Sequence, residues 1–229
     1  VGDSSLYANT SGAHNVAVGH RALNANTTGT QNVAVGHDAL VLNTTGAENT
    51  AVGSLALDVN TTADNNTGIG YQCLTSNTTG AGNTGIGRRA LFNNTTADNN
   101  TSVGSASLNQ NSTGANNTAV GKSSLQNNTT GAENVAIGNN ALDANTAGGS
   151  NIAIGHQALT TLSTNDGNIA IGRDSLSTLS NGTGNVAVGH KTLEDSTSEH
   201  NTAIGYAAGK ENTSGQDNTV IGSQAFDAN

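Results

Sequence analysis

Apolar residues in this chain keep step with Asn and Gly. The pentapeptide Asn-x-small-[Val/Ile]-Gly occurs thirteen times, from Asn15 through Asn32, Asn49, Asn66, Asn83, Asn100, Asn117, Asn134, Asn151, Asn168, Asn185 and Asn201 to Asn218. Each step is 17 residues except the 16 between Asn185 and Asn201. A fixed period of this kind signals a stacked-repeat architecture.

Numbered from its Asn, each unit has Val or Ile at position 4, from Val18 to Ile221, and Gly at position 5. Position 8 is small and position 9 is Leu in most units, as in Ala22-Leu23 and Ala141-Leu142. Positions 10 to 17 are polar and rich in turn residues, as in Asn24-Ala25-Asn26-Thr27-Thr28-Gly29. The pattern predicts strand, Gly corner, short strand and loop in every unit. A β-branched column favours a strand, and with the Leu column it is the expected core. Small residues at position 3, including Gly68 and Gly85, are expected to form a seam where another chain approaches. Helical periodicity is absent, and 17 residues suit one coil of a β-solenoid. The fold expectation is all-β, a parallel β-solenoid of about thirteen coils in one array over residues 1–229, cut through a repeat at both ends.

The Asn at position 1 has a mechanism in such a stack, because superposed amides can hydrogen-bond from coil to coil in a structural ladder. The simpler alternative is that Asn tolerates a turn conformation. Irregular units, where Leu gives way to Gly209 and Phe226 beyond the 16-residue step, suggest a transition toward another domain.

Composition narrows the function. Hydrophobic residues make up 33% of the chain and there is no Trp, Met or Pro, so a thick globular core is excluded. One thin coil stack is poorly supported by its own core, which predicts lateral self-association. With 7 Lys plus Arg against 16 Asp plus Glu, there is no electrostatic footing for nucleic acid. No apolar run is long enough to insert in a membrane. Cys73 shares a column with Ala, Ser and Thr and reads as a small buried packing residue.

Asn134-Val135-Ala136-Ile137-Gly138, followed by Asn139-Asn140-Ala141 and later Gly148, resembles the head repeat of trimeric autotransporter adhesins. It is similar as well to repetitive phage tail-fibre segments. The resemblance spans essentially the whole chain. It implies a left-handed β-roll, a homotrimer about a fibre axis, and display or attachment on a cell or virion surface.

Candidate chemistry is sparse, because catalysis needs an irregular constellation and the array is nearly uniform. No catalytic residue, cofactor or metal ligand is expected. His20 and His37 fall at position 6 of neighbouring coils, but two His without a third ligand are a weak metal signal. Asp64-Asn65, Asp98-Asn99 and Asp217-Asn218 offer oxygen ligands, and polar loops account for them without calcium. Thr-Thr pairs, beginning at Thr27-Thr28, invite an ice-binding reading that turn chemistry explains better. Asn-x-Thr sequons at Asn26, Asn43, Asn60, Asn77, Asn94 and Asn128 read as a loop consensus rather than as glycosylation sites. Position 6 varies most, with His20, His37, Tyr71, Arg88, Lys122, His156, Arg173, His190 and Tyr206. That column is the candidate surface for contacts.

The expected function is a non-catalytic structural segment of an extracellular fibre. Its first alternative is an adhesin or phage segment that binds a cell-surface or matrix receptor, and its second is an ice-binding solenoid.

Overall fold

The computed structural model describes residues 1–226 and is all-β: thirteen parallel strands in stacked coils of about 17 residues form a β-solenoid, with no helix among the described residues. Asn229, where the last repeat was expected to stop, lies outside the described residues. The chain divides into two compact units, residues 1–116 and the remainder from Asn117. The first contains β1 (Val16–Val18), β2 (Val33–Val35), β3 (Thr50–Val52), β4 (Thr67–Ile69), β5 (Thr84–Ile86) and β6 (Thr101–Val103). The second contains β7 (Thr118–Val120), β8 (Val135–Ile137), β9 (Ile152–Ile154), β10 (Ile169–Ile171), β11 (Val186–Val188), β12 (Thr202–Ile204) and β13 (Thr219–Ile221). Within each unit every strand pairs with the next in parallel, position for position, as in Val16↔Val33 and Ile169↔Val186.

The strand faces are the reverse of the expected ones. Position 3 is the buried residue of each strand, and positions 2 and 4 face outward. Ala34, Ala136 and Ala170 are fully buried, whereas Val18 and Ile137 are 43% and 38% exposed. Side chains alternate across a strand, so only one of the two faces can point into the coil. The coil interior takes Ala at position 3 against the small residue at position 8 and the buried Leu at position 9. The β-branched column is therefore not the core, and the small column is not a seam for a second chain. Packing confirms how tight that interior is: a Cβ on Gly85 would lie 2.6 Å from Cys73 Sγ. Glycine at position 3 makes room for the cysteine of the coil before it. Cys73 is buried and unpaired, and burial pushes its thiol up to about 12.

The expected short strand at positions 8 and 9 is replaced by turns. Positions 7 and 9 lie in the left-handed region in unit after unit, as at Arg21 (φ 55°) and Leu23 (φ 51°), and so does position 17, as at His14 (φ 60°). Such residues cannot propagate a strand. Hydrogen bonds Ala22 N–H to Gly19 O (3.4 Å) and Asn26 N–H to Leu23 O (3.2 Å) close the turns. An αL leucine is strained by roughly 1–2 kcal/mol, and complete burial of each Leu side chain, worth about 1.5–3 kcal/mol, offsets it. The Gly at position 5 is required twice over. Gly138 has φ 137°, and a Cβ there would lie 2.4 Å from Gly155 O.

The irregular units stack like the others, contrary to the expected transition. β11, β12 and β13 pair in register. In the 16-residue unit Asn185 Nδ2 donates to Ser198 O at 2.9 Å, and Thr197 Oγ1 continues its column to Thr213 O at 2.7 Å. The missing residue is therefore position 14, which is solvent-exposed in Thr28 and Thr45, and its loss leaves the coil intact. Gly209 occupies the left-handed position (φ 62°) that glycine adopts without strain.

Candidate functional site

Three features of the coil bear on function: the buried amides, the outward strand face and the position-6 edge. The position-1 residues from Asn32 to Asn185 are fully buried. Asn134 shows their chemistry: Nδ2 donates to Gly148 O at 2.8 Å, and Oδ1 accepts the backbone N–H of Asn151 at 3.0 Å. Direct amide-to-amide contact is longer, 3.2 Å from Asn151 Nδ2 to Asn134 Oδ1. The rungs are thus mainly side-chain oxygen to backbone N–H, a tighter tie than stacked amides alone. Asn15 and Asn218 continue the column half-buried.

A second ladder runs through the sequon asparagines at position 12. Asn43 Nδ2 donates to Asn26 Oδ1 and to Gly46 O, both at 2.9 Å, while Asn32 Nδ2 reaches the same Gly46 O at 2.8 Å. Two amides thus converge on one carbonyl. Asn26, Asn43, Asn60, Asn77, Asn94 and Asn128 are fully buried, so the folded coil withholds these amides from glycosylation. The first Thr of each pair is engaged too: Thr27 and Thr44 donate Oγ1 to the next coil's position-13 carbonyl at 3.0 Å. Asp64 and Asp98 accept the backbone N–H groups of Ala47 and Ala81, each at 2.7 Å. Asp217 lies 4.0 Å from His200. These carboxylates do not converge on a common point.

The outward face presents two β-branched columns. In the first unit they are Val16, Val33, Thr50, Thr67, Thr84 and Thr101 beside Val18, Val35, Val52, Ile69, Ile86 and Val103. In the second unit Ile137, Ile171 and Ile204 are 38%, 37% and 43% exposed in the same column. Strand spacing of about 4.8 Å makes this a regular surface. No cavity is present among the described residues, and no helix among them is long and apolar enough to cross a membrane.

Beyond the Gly corner, Tyr71, Arg88, Lys122, His156, Arg173 and Tyr206 are exposed at position 6, and His190 is half-buried. His20 and His37 stack with ring centroids 5.1 Å apart and planes 16° from parallel. Position 7 adds what the sequence reading missed. Asp38 sits 3.4 Å from His37 Nδ1 and 3.2 Å from Arg21 Nε. Asp174 faces Arg173 at 3.2 Å, His190 at 3.9 Å and His156 at 4.0 Å. Asp38 and Asp174 are the two acidic residues of the position-7 column. That column was legible in the repeat, but its approach to position 6 depends on the left-handed turn.

Comparison with protein-family models, with curated proteins and with solved structures returned no match.

Proposed function

We propose that this chain is a non-catalytic segment of an extracellular fibre, a solenoid whose outward strand face docks on copies of itself. The observation that carries the reading is that face: its most apolar column points to solvent, while amides fill part of the interior. Large regular apolar patches on soluble proteins mark interaction surfaces. Repetition of one column at one spacing suits a partner with the same spacing, and a second copy has it. Closed cyclic symmetry would bury the face in every copy, and a homotrimer is the form that the adhesin-head resemblance implies. Display on a cell or virion surface follows from the same resemblance.

Sedimentation equilibrium of the purified chain tests the proposal. A trimer is expected, and Ile137→Lys combined with Ile171→Lys should release monomers, because each places a charge in the buried contact. A wild-type chain that stays monomeric at high micromolar concentration overturns it. Binding of the chain to cells or matrix would instead favour receptor recognition.

One observation favours a second reading. Thr50, Thr67, Thr84 and Thr101 form an outward column beside Val52, Ile69, Ile86 and Val103, separated along each strand by one inward residue. That every-other-residue array is the spacing that the Thr-Thr pairs lack, and it suits an ordered water surface. Thermal hysteresis of the wild-type chain would support ice binding, and a wild-type chain that is monomeric in sedimentation and shows none would remove that reading.

A further inference from the structure

We propose that His20, His37 and Asp38 form a binding site for a divalent transition-metal ion of the zinc class. One ligand atom from each lies within 4.8 Å of the others. Two imidazoles and a carboxylate are a donor set that zinc accepts, with a water or a fourth side chain completing the tetrahedron. This inference is independent of the fibre reading.

The fold places all three residues. Parallel pairing of Val18 with Val35 sets position 6 of one coil beside position 6 of the next. A left-handed turn residue, Asp38 (φ 56°), then turns its carboxylate toward that edge. Asp38 is 9% exposed, and its buried Oδ1 accepts no hydrogen bond. Its nearest cation is Arg21 Nε at 3.2 Å. That contact is to Oδ1, while Oδ2 is the oxygen turned toward His37 Nδ1 at 3.4 Å, so an ion would bind on the Oδ2 side and take over from Arg21 as the partner of this carboxylate. Asp3, 3.7 Å from His20 Nε2, is placed to act as a fourth ligand.

The required rearrangement is small. Bonds of about 2.0–2.1 Å put tetrahedral ligand atoms roughly 3.4 Å apart, so the cluster must contract by about 1.4 Å from its present span. Imidazole lone pairs lie in the ring plane, so the two stacked rings must also tilt toward each other. Their side chains are 46% and 57% exposed, which leaves them free to do so. Arg21, itself 46% exposed, can swing into solvent as the ion replaces its charge.

A natural control lies in the second unit. His156 and His190 also face an aspartate, Asp174, but Arg173 occupies the coil between them. Two coil steps set the backbones of those histidines about 9.6 Å apart, and their ligand atoms do not gather with that of Asp174 as those of His20, His37 and Asp38 do. That patch should not bind.

The test is isothermal titration of the full chain with ZnCl2, paired with visible absorption on Co2+ addition. A single ion per chain with micromolar affinity and a tetrahedral cobalt band are expected. His20→Ala and His37→Ala should each weaken binding by at least about tenfold, and Asp38→Asn should weaken it as well. Arg21→Gln should tighten it, because a competing cation is gone. His156→Ala with His190→Ala should leave it unchanged. The replaced histidines are exposed, and circular dichroism verifies the fold of each variant. Absence of saturable binding overturns the proposal, and so does binding that survives the double substitution of His20 and His37.

Discussion

Coils with Asn128 and Asn145 at position 12 and coils with Leu162 and Leu179 there share one backbone and fill it with opposite chemistry. All four side chains are fully buried. Asn145 Nδ2 donates to Asn128 Oδ1 at 2.8 Å and to Gly148 O at 3.0 Å. Leu179 forms no such bond and packs instead, coming within 2.8 Å of where a Cβ on Gly182 would sit. Through both regions the position-1 rungs stay in place: the backbone N–H groups of Asn151, Asn168 and Asn185 donate to the preceding Asn Oδ1 at 3.0, 3.0 and 3.1 Å. Position 1 therefore defines the coil, and position 12 is a filling that can be polar or apolar. The junction between fillings carries a penalty. Asn145 Oδ1, which faces the coil of Leu162, is buried without a hydrogen-bond partner.

The comparison is broken most severely at position 1. In the Leu coils Asn168 Nδ2 donates to Gly182 O at 2.9 Å, with no position-12 amide beside it. Its Oδ1 accepts both N–H groups of Asn185 at 3.1 Å. Asn168→Ala strands all of these and should cost about 4 kcal/mol. Asn134→Ala should cost about 3 kcal/mol, because Asn145 Nδ2 still reaches Gly148 O. Urea denaturation of both variants checks the order. Equal losses would mean that the second amide contributes nothing.

Exchange of the fillings sharpens the point. Leu162→Asn should cost about 3 kcal/mol, since burial of the Leu is lost even though Asn145 Oδ1 gains a donor. Adding Leu179→Asn should cost about 1 kcal/mol less than the sum of the single changes, because the two new amides can bond to each other. Strict additivity in the same denaturation series would deny that position-12 amides work as a ladder. Asn145→Leu is the milder exchange and should fall within about 1 kcal/mol of wild type. It removes one orphaned oxygen, Asn145 Oδ1, together with the bond that Asn145 Nδ2 donates to Asn128 Oδ1.

The difference between the two positions explains what was legible in the sequence. Position 1 holds Asn in all thirteen units, which turn preference alone does not require. Position 12 hides inside Asn-Thr-Thr-Gly, a stretch whose composition equally describes an exposed turn. Its interruption by Leu162 and Leu179 was the available signal, because exposed turn positions seldom take Leu. Strand orientation was misread for a different reason. A three-residue strand such as Val135-Ala136-Ile137 gives no intrinsic sense of inside and outside, and hydrophobicity assigned the β-branched residues inward. The narrow coil reverses that choice: a Cβ placed at position 3 on Gly68 or Gly85 already meets the Leu of the preceding coil, Leu57 at 3.3 Å or Leu74 at 3.5 Å, which leaves no room for Ile. His20 and His37 were recognised as neighbours from the repeat, but Asp38 joins them only through its positive φ.

The smallest expected effect lies at the same junction of fillings. Position 10 is Asp143 in the coil of Asn145 and Thr160 in the coil of Leu162. Burial raises the Asp143 carboxyl above the ordinary carboxylate value, and its Oδ1 has no hydrogen-bond partner. A carboxyl with a higher pKa folded than unfolded favours the fold while protonated. That contribution is full below the unfolded value of about 3.9 and is lost as pH rises through the raised folded value. At neutral pH the ionised group therefore opposes folding. Asp143→Asn should stabilise the chain at pH 7 by about 0.5 kcal/mol or less, since the half-buried group remains partly screened by solvent. At pH 3 the gain should vanish, because aspartic acid and asparagine are then both neutral. Melting temperatures of the two proteins at both pH values decide it. A gain that persists at pH 3 would locate the effect in packing against Thr160 rather than in charge.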